Sequence, residues 1–190
     1  MSDPTVQFRA WLDEAIAAGE PIPNAMALAT ANAQGVPSVR IVLLEDVTEA
    51  GFAFQTNLNS PKVADLELTG LAAATFFWPR LLRQVRVSGA VTHLHRDEVA
   101  RYFNSQPPGI QAMLRACRVQ SEVIPDRATL EQRFADALNS HEAGVPDHWG
   151  GYRLHVASIE FWQGRDNWLQ DRLRYTRTLD EGWRIERLVP

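Results

Sequence analysis

The chain has one lysine, Lys62, against eighteen arginines, and it follows the polar run Thr56-Asn57-Leu58-Asn59-Ser60. A general preference for arginine would explain the count and leave Lys62 an ordinary solvated side chain. Its neighbours point elsewhere. Ser38–Glu45 and Gly51–Thr56 read as two strands of a hairpin, which gathers Arg40, Thr56, Ser60 and Lys62 near one end. Cations and hydroxyls converging from several directions suit a phosphate monoester.

A second polar constellation lies on Arg83-Gln84-Val85-Arg86-Val87-Ser88-Gly89. Alternation sends Gln84, Arg86 and Ser88 to one face and Val85 and Val87 to the other. The polar row faces either water or a polar ligand, such as a heteroaromatic ring with carbonyl and nitrogen edges.

Other reactive residue types carry weaker patterns. His93 and His95 would share one face of a strand, but no third ligand stands at a suitable spacing, so no metal site is expected. His148 and His155 read as packing or hydrogen-bonding residues. Cys117, the single cysteine, has no disulfide partner and, between Arg115 and Arg118, reads as a half-buried packing thiol and not a nucleophile. A Rossmann glycine pattern is lacking, which disfavours a dinucleotide held in that manner, and Ser60 has no nucleophile-elbow sequence.

The elements that must position these groups form an α+β pattern. Asp3-Pro4 opens a first helix with an apolar stripe of Phe8, Trp11, Leu12, Ala15 and Ile16, ending near Gly19. Strands are predicted over Met26–Thr30, Ser38–Leu44, Phe52–Gln55, Ala72–Trp78 and Gln84–Leu94, interrupted by a short helix over Val63–Leu68. Five strands and one helix suggest a small antiparallel barrel. Helices follow over Asp97–Ser105 and 126–140, the latter with Leu130, Phe134, Ala137 and Leu138 on one face. Strands return over Tyr152–Trp162, Leu173–Arg177 and Trp183–Leu188.

At 190 residues, 45% hydrophobic and 22% charged, residues 1–190 read as a single domain with a sizeable core. A net charge of -4 without a basic block argues against nucleic acid or an anionic membrane as partner. No apolar run reaches the roughly 20 residues of a membrane span, and Met1-Ser2-Asp3-Pro4 lacks the character of a leader, so a cytoplasmic location is expected.

Along nearly its whole length the chain resembles the pyridoxamine 5'-phosphate oxidase family. The resemblance rests on Arg40-Ile41-Val42-Leu43-Leu44, Gln55-Thr56-Asn57-Leu58, Ser60-Pro61-Lys62, Arg83-Gln84-Val85 and Gln120-Ser121. It continues through His148-Trp149-Gly150-Gly151-Tyr152-Arg153, Ile159-Glu160-Phe161-Trp162-Gln163-Gly164, Asp171-Arg172 and Trp183-Arg184-Ile185-Glu186-Arg187-Leu188. Each stretch is weak alone; their order along the chain makes the signal strong.

The resemblance implies a homodimeric split antiparallel β-barrel with peripheral helices, the segment 149–190 helping to dimerise, and FMN held between the subunits. The implied FMN site comprises Arg40, Ile41, Val42, Leu43, Leu44, Gln55, Thr56, Lys62 and Gln84, joined by Gln120, Ser121, Trp162 and Arg172, partly from the second subunit. Arg40, Lys62 and Ser121 would bind the phosphate. Gln84 and Arg172 would bond the ring's polar edge, with Trp162 flanking it and Arg172 serving catalysis by stabilising negative charge there. Pro61 stands where the family commonly has a second arginine.

The departures gather where the family binds its substrate's phosphate. A lysine contacting that phosphate is here Glu45. The substrate-contacting tyrosine persists as Tyr102, but the arginine after it is Gln106, a serine beyond it falls in Pro108-Gly109-Ile110, and an arginine and histidine before Asp171 are Trp168 and Gln170. At about 4 Å and an effective dielectric near 20, one unit-charge interaction is worth roughly 4 kcal/mol, so exchanging lysine for glutamate reverses a term of that size.

Glu45, Tyr102, Gln106, Trp168 and Gln170 therefore form the expected substrate lining, suited to a planar neutral or cationic ring. The expected function is an FMN-dependent oxidase acting on a non-phosphorylated (hetero)aromatic or amine metabolite, with O2 as electron acceptor and H2O2 as product. Family members that oxidise reduced tricyclic intermediates in phenazine pathways are similar. Two alternatives stay open: a true pyridoxine/pyridoxamine 5'-phosphate oxidase with a rearranged clamp, and a flavin-binding protein without turnover.

Overall fold

The computed structural model describes residues 3–140, 142–180 and 182–190. Met1 and Ser2, part of the leader reading above, lie outside the described residues. The Asp3 carboxylate accepts from the Thr5 backbone N–H at 2.8 Å and caps α1 (Pro4–Ala17). Phe8 from this helix is fully buried, packed edge-on against Phe52 at 4.6 Å and Phe76 at 4.8 Å. The expected stripe is narrower than read, because Ile16 is exposed.

Strands β1 (Ala25–Ala31), β2 (Pro37–Thr48) and β3 (Gly51–Asn57) form a meander, followed by α2 (Pro61–Thr69), β4 (Leu71–Trp78) and β5 (Arg83–His93). Three helices come next: α3 (Arg96–Ser105), α4 (Pro108–Ala116) and α5 (Arg127–Asn139). The chain ends in β6 (Trp149–Leu154), β7 (Ser158–Gln163), β8 (Asp171–Arg177) and β9 (Trp183–Arg187).

Every pairing is antiparallel, and the order β1-β2-β3-β6-β5-β4, with β4 returning to β1, closes a barrel of six strands. Its interior is filled by Met26, Leu28, Phe52, Phe54, Phe76, Val85, Tyr152 and Leu154. The α+β split-barrel class expected from sequence is thus the architecture found. The sixth strand, however, comes from the C-terminal segment, and five local strands alone do not close the barrel.

The split occurs on β5. Arg83–Ser88 pair with β7, whereas Val91–His93 pair with β6. Gly89 stands at the divergence, where a Cβ would come within 1.9 Å of the His155 carbonyl oxygen. The Tyr152–Trp162 run is consequently two strands, not one. Between them the His155 N–H donates to Ala90 O and the Ala157 N–H to Ser88 O, so one chain crosses from barrel to extension without leaving β5.

Two readings of the helices need correction. Helix α4 was hidden by Pro107-Pro108-Gly109, which reads as a break, yet Pro108 sits in the first turn, where its missing N–H costs nothing. In α5 no residue is buried, and Leu130 and Leu138 are exposed, so the apolar face read there does not enter the core.

Candidate active site

Lys62 lies in the first turn of α2 and is 6% exposed. Its Nζ donates to Thr56 Oγ1 and Ser60 Oγ, each at 3.1 Å, and to Gln120 Oε1 at 2.5 Å. Ser60 is the N-cap of α2 but makes no side-chain cap; its hydroxyl serves the lysine instead. Burial, followed by the nearby Arg40, lowers the Lys62 pKa to about 8. Arg40 donates to Thr30 Oγ1 at 2.8 Å and Ser38 Oγ at 2.9 Å, and burial lowers its pKa despite the counter-charge of Asp65.

Both cations line one cleft of about 670 Å³. Its walls are Ser38–Leu43 of β2, Gln55–Asn57 of β3, Pro61 and Lys62 of α2, the α4 residues Ile110, Met113 and Leu114, the turn residues Gln120 and Ser121, and Trp149. No carboxylate pairs with the Lys62 ammonium among the described residues; its three partners are neutral oxygens. A buried cation whose three N–H bonds all go to neutral oxygens retains attraction for an anion, and a phosphate would take a charge-assisted bond from it by displacing one of those oxygens. Ser121 presents its hydroxyl from a left-handed backbone, φ +71°.

Glu45 also lines this cleft, at a β-bulge: Leu44 pairs with Phe54 and Asp46 with Ala53, so Glu45 has no cross-strand mate. It is half-buried, has no hydrogen bond or ion pair among the described residues, and burial raises its pKa. Gln106, just beyond α3, joins the lining.

Several expected site residues hold other positions. The Leu44 side chain is buried in the barrel core, and its backbone N–H and C=O are bonded to Asn24. Gln55 lines the cleft, but its amide is already used: Nε2 donates to Val99 O at 2.9 Å and Oε1 accepts from Trp149 Nε1 at 2.8 Å. Tyr102 donates to Asp46 Oδ2 at 3.3 Å, packs beside Leu94 and Val99, and does not line the cleft. Trp168 is 81% exposed, with φ +63°, and Gln170 lies beside it in the β7–β8 loop, both outside the cleft.

Gln84, Trp162 and Arg172 form a separate row. Gln84 pairs with Trp162 across β5 and β7, and Trp162 with Arg172 across β7 and β8, so antiparallel register places all three side by side. Arg172 Nε donates to Glu160 Oε1 at 2.8 Å and Nη1 to Val189 O at 2.9 Å; the bond to Glu160 raises its pKa. The polar row of β5 therefore faces outward from the barrel. Within the chain the expected residues thus fall into two separate groups, one lining the cleft and one across β5, β7 and β8.

Sequence reasoning missed Asn57, Trp149 and the apolar wall from α4 as cleft residues. Asn57 Nδ2 donates to Cys117 O at 2.5 Å and pins the end of α4 over β3. The unread helix hid the α4 residues, whereas Asn57 and Trp149 both stand in stretches that carry the family resemblance, Gln55-Thr56-Asn57-Leu58 and His148-Trp149-Gly150-Gly151-Tyr152-Arg153. The histidines follow their weaker readings: His148 bonds Leu114 O and His155 meets Thr92 Oγ1, each through Nε2. His93 and His95 do not share a strand face, because His95 caps α3 while His93 pairs with Glu67.

Two family descriptions match the chain: "Pyridoxamine 5'-phosphate oxidase" over residues 12–141 and "Pyridoxine 5'-phosphate oxidase C-terminal dimerisation region" over residues 149–190. The chain belongs to the pyridoxamine 5'-phosphate oxidase family. Its relatives in that family include proteins named pyridoxine/pyridoxamine 5'-phosphate oxidase from Nostoc punctiforme, 46% identical, and Burkholderia orbicola, 48% identical. Each comparison covers 99% of this chain and 89% of the relative. Among solved structures, PhzG from Burkholderia lata, in complex with tetrahydrophenazine-1-carboxylic acid, is 30% identical with a TM-score of 0.94, covering 100% of this chain and 94% of that one. A Nostoc punctiforme protein described as FMN binding shares the fold at a TM-score of 0.78 and 17% identity, covering 96% of this chain and 97% of that one. The two family segments here share one sheet, since β6 pairs with β3 and β7 with β5. No helix among the described residues is long and apolar enough to cross a membrane.

Proposed function

We propose that this family member is an FMN-dependent oxidase whose substrate is not a phosphate ester, and that its working form is a homodimer. The observation that carries the reading is the charge content of the cleft: Lys62 and Arg40, near enough for one charge to act on the other, with Glu45 and Gln106 also on the lining. Among the described residues the cleft has one cationic pair, enough for one phosphate, and FMN brings that phosphate.

In this reading Lys62, Arg40 and Ser121 hold the FMN phosphate, while Thr56, Ser60 and Gln120 hold Lys62 in place. Gln84, Trp162 and Arg172 of the partner's equivalent surface complete the site, since one protomer keeps them apart from the cleft. Bound FMN supplies hydride acceptance, with O2 taking the electrons onward as H2O2. The chain's own contribution is to orient the substrate against the flavin, to exclude water with Ile110, Met113 and Leu114, and to place the Arg172 charge at the ring's polar edge. Trp168 and Gln170, which lie outside the cleft of their own chain, border the substrate from the partner's β7–β8 loop, and Tyr102 braces the bulge through Asp46.

A second reading, pyridoxine/pyridoxamine 5'-phosphate oxidase, is favoured by the names of relatives 44 to 48% identical. One experiment separates the two. The FMN-loaded protein is mixed anaerobically with pyridoxine 5'-phosphate while the flavin's visible absorbance is followed. The first reading expects the flavin to stay oxidised; rapid bleaching would establish the second. Glu45→Lys with Trp168→Arg should increase turnover of the phosphorylated vitamer, and an absent gain would remove those residues from the substrate site.

A further inference from the structure

Among the described residues Glu45 is the one carboxylate lining the cleft, and it stands at a bulge, the backbone device that re-aims a side chain out of a ladder. In a chain with eighteen arginines, none pairs with it among the described residues. The two cations of the same cleft are occupied elsewhere, Arg40 by Thr30 and Ser38, Lys62 by Thr56, Ser60 and Gln120. The same cleft is lined by an amide, Gln106, and by apolar side chains from α4. A half-buried carboxylate in such surroundings is left uncompensated by a neutral ligand and repels an anionic one.

We propose that Glu45 is the specificity-determining residue for a cationic nitrogen on the substrate, an ammonium or amidinium that docks at the bulge where a phosphate ester is excluded. This rests on the oxidase reading above and names its substrate class. The docked nitrogen is not the one at which oxidation occurs. Loss of hydride from a carbon beside nitrogen draws on the nitrogen lone pair, and a protonated amine has none. The substrate therefore carries its cation as a handle, separate from the carbon presented to the flavin.

Three probes with one ring and different head groups test this: benzylamine, benzyl alcohol and benzyl phosphate, titrated into the FMN-loaded protein while the flavin difference spectrum is recorded. Benzylamine should bind on the order of tenfold or more tighter than the alcohol, as a charge-assisted bond implies, with the phosphate weakest. Glu45→Gln should bring amine and alcohol within about twofold, and Glu45→Lys should make the phosphate the tightest. Equal or undetectable binding of the three by the unsubstituted protein, as when the carboxylate is neutralised across the subunit interface, would overturn the assignment, as would an amine preference that survives Glu45→Gln. Bleaching by pyridoxine 5'-phosphate in the same preparation would instead overturn the parent reading, so the two failures are distinct.

Discussion

Gln120 accepts a hydrogen bond from Lys62 Nζ at 2.5 Å across 58 positions of sequence, which ties the turn after α4 to the first turn of α2. The amide fixes the ammonium without neutralising it. The neighbouring Ser121 lines the same cleft.

Lys62→Met keeps the stem and removes the charge. Loss of a charge-assisted phosphate contact should weaken FMN binding by roughly 30- to 100-fold, measured by quenching of flavin fluorescence. The apoprotein should unfold at the same or a higher temperature, because desolvation of the ammonium no longer opposes folding. Flavin affinity within twofold of the parent would count against Lys62 as the phosphate ligand.

Flavin affinity should depend on pH through the same group. The folded apoprotein holds the Lys62 pKa near 8 against an ordinary 10.5, so between these values the unfolded chain binds more protons. This group's contribution to stability accordingly rises with pH through that window, its penalty being complete below about 8 and gone above 10.5. Phosphate binding needs the ammonium, so the dissociation constant should be flat on the acid side of 8 with respect to this group and should weaken by up to about tenfold per pH unit above it. Isothermal titrations at neutral and alkaline pH check this; Lys62→Met should lose the alkaline limb.

If the cleft of one protomer is completed by the Arg172 row of the other, as proposed, complementation follows. Lys62→Met and Arg172→Ala variants, each deficient alone, should recover activity when unfolded and refolded together. A mixed dimer places both defects in one site and leaves the other intact, so random pairing restores about a quarter of all sites. If both half-sites belonged to one protomer, mixing would restore nothing.

Gly89→Ala should be among the most damaging single-methyl changes in the chain. Its Cβ would meet the His155 carbonyl oxygen at 1.9 Å and the Ala157 nitrogen at 2.9 Å, backbone atoms that cannot swing aside. A loss of roughly 3 kcal/mol or more is expected by denaturant unfolding. The adjacent Ser88→Ala, at an exposed position, should cost little and serves as the control.

Local physics made much of this legible in the chain itself. Asp3-Pro4 announced α1, alternation marked the barrel strands and set Gln84, Arg86 and Ser88 on one face, and a lone lysine after a polar turn marked the cationic end of the cleft. Each signal is carried by residues a few positions apart, where backbone geometry and side-chain periodicity act directly.

What the tertiary structure decided depends on register between distant segments. β6 closes the barrel by pairing with β3 and β5, so no local pattern identifies it as the sixth strand. The Gln55 amide looked free for a ligand until Val99 and Trp149 arrived to occupy it. Glu45 looked like a simple exchange of charge, and only the offset between Leu44–Phe54 and Asp46–Ala53 revealed it as an unpaired carboxylate at a bulge. Residue types and short spacings were written in the sequence; which polar groups remain unsatisfied was set by long-range pairing, because satisfaction belongs to the pair and not to the residue.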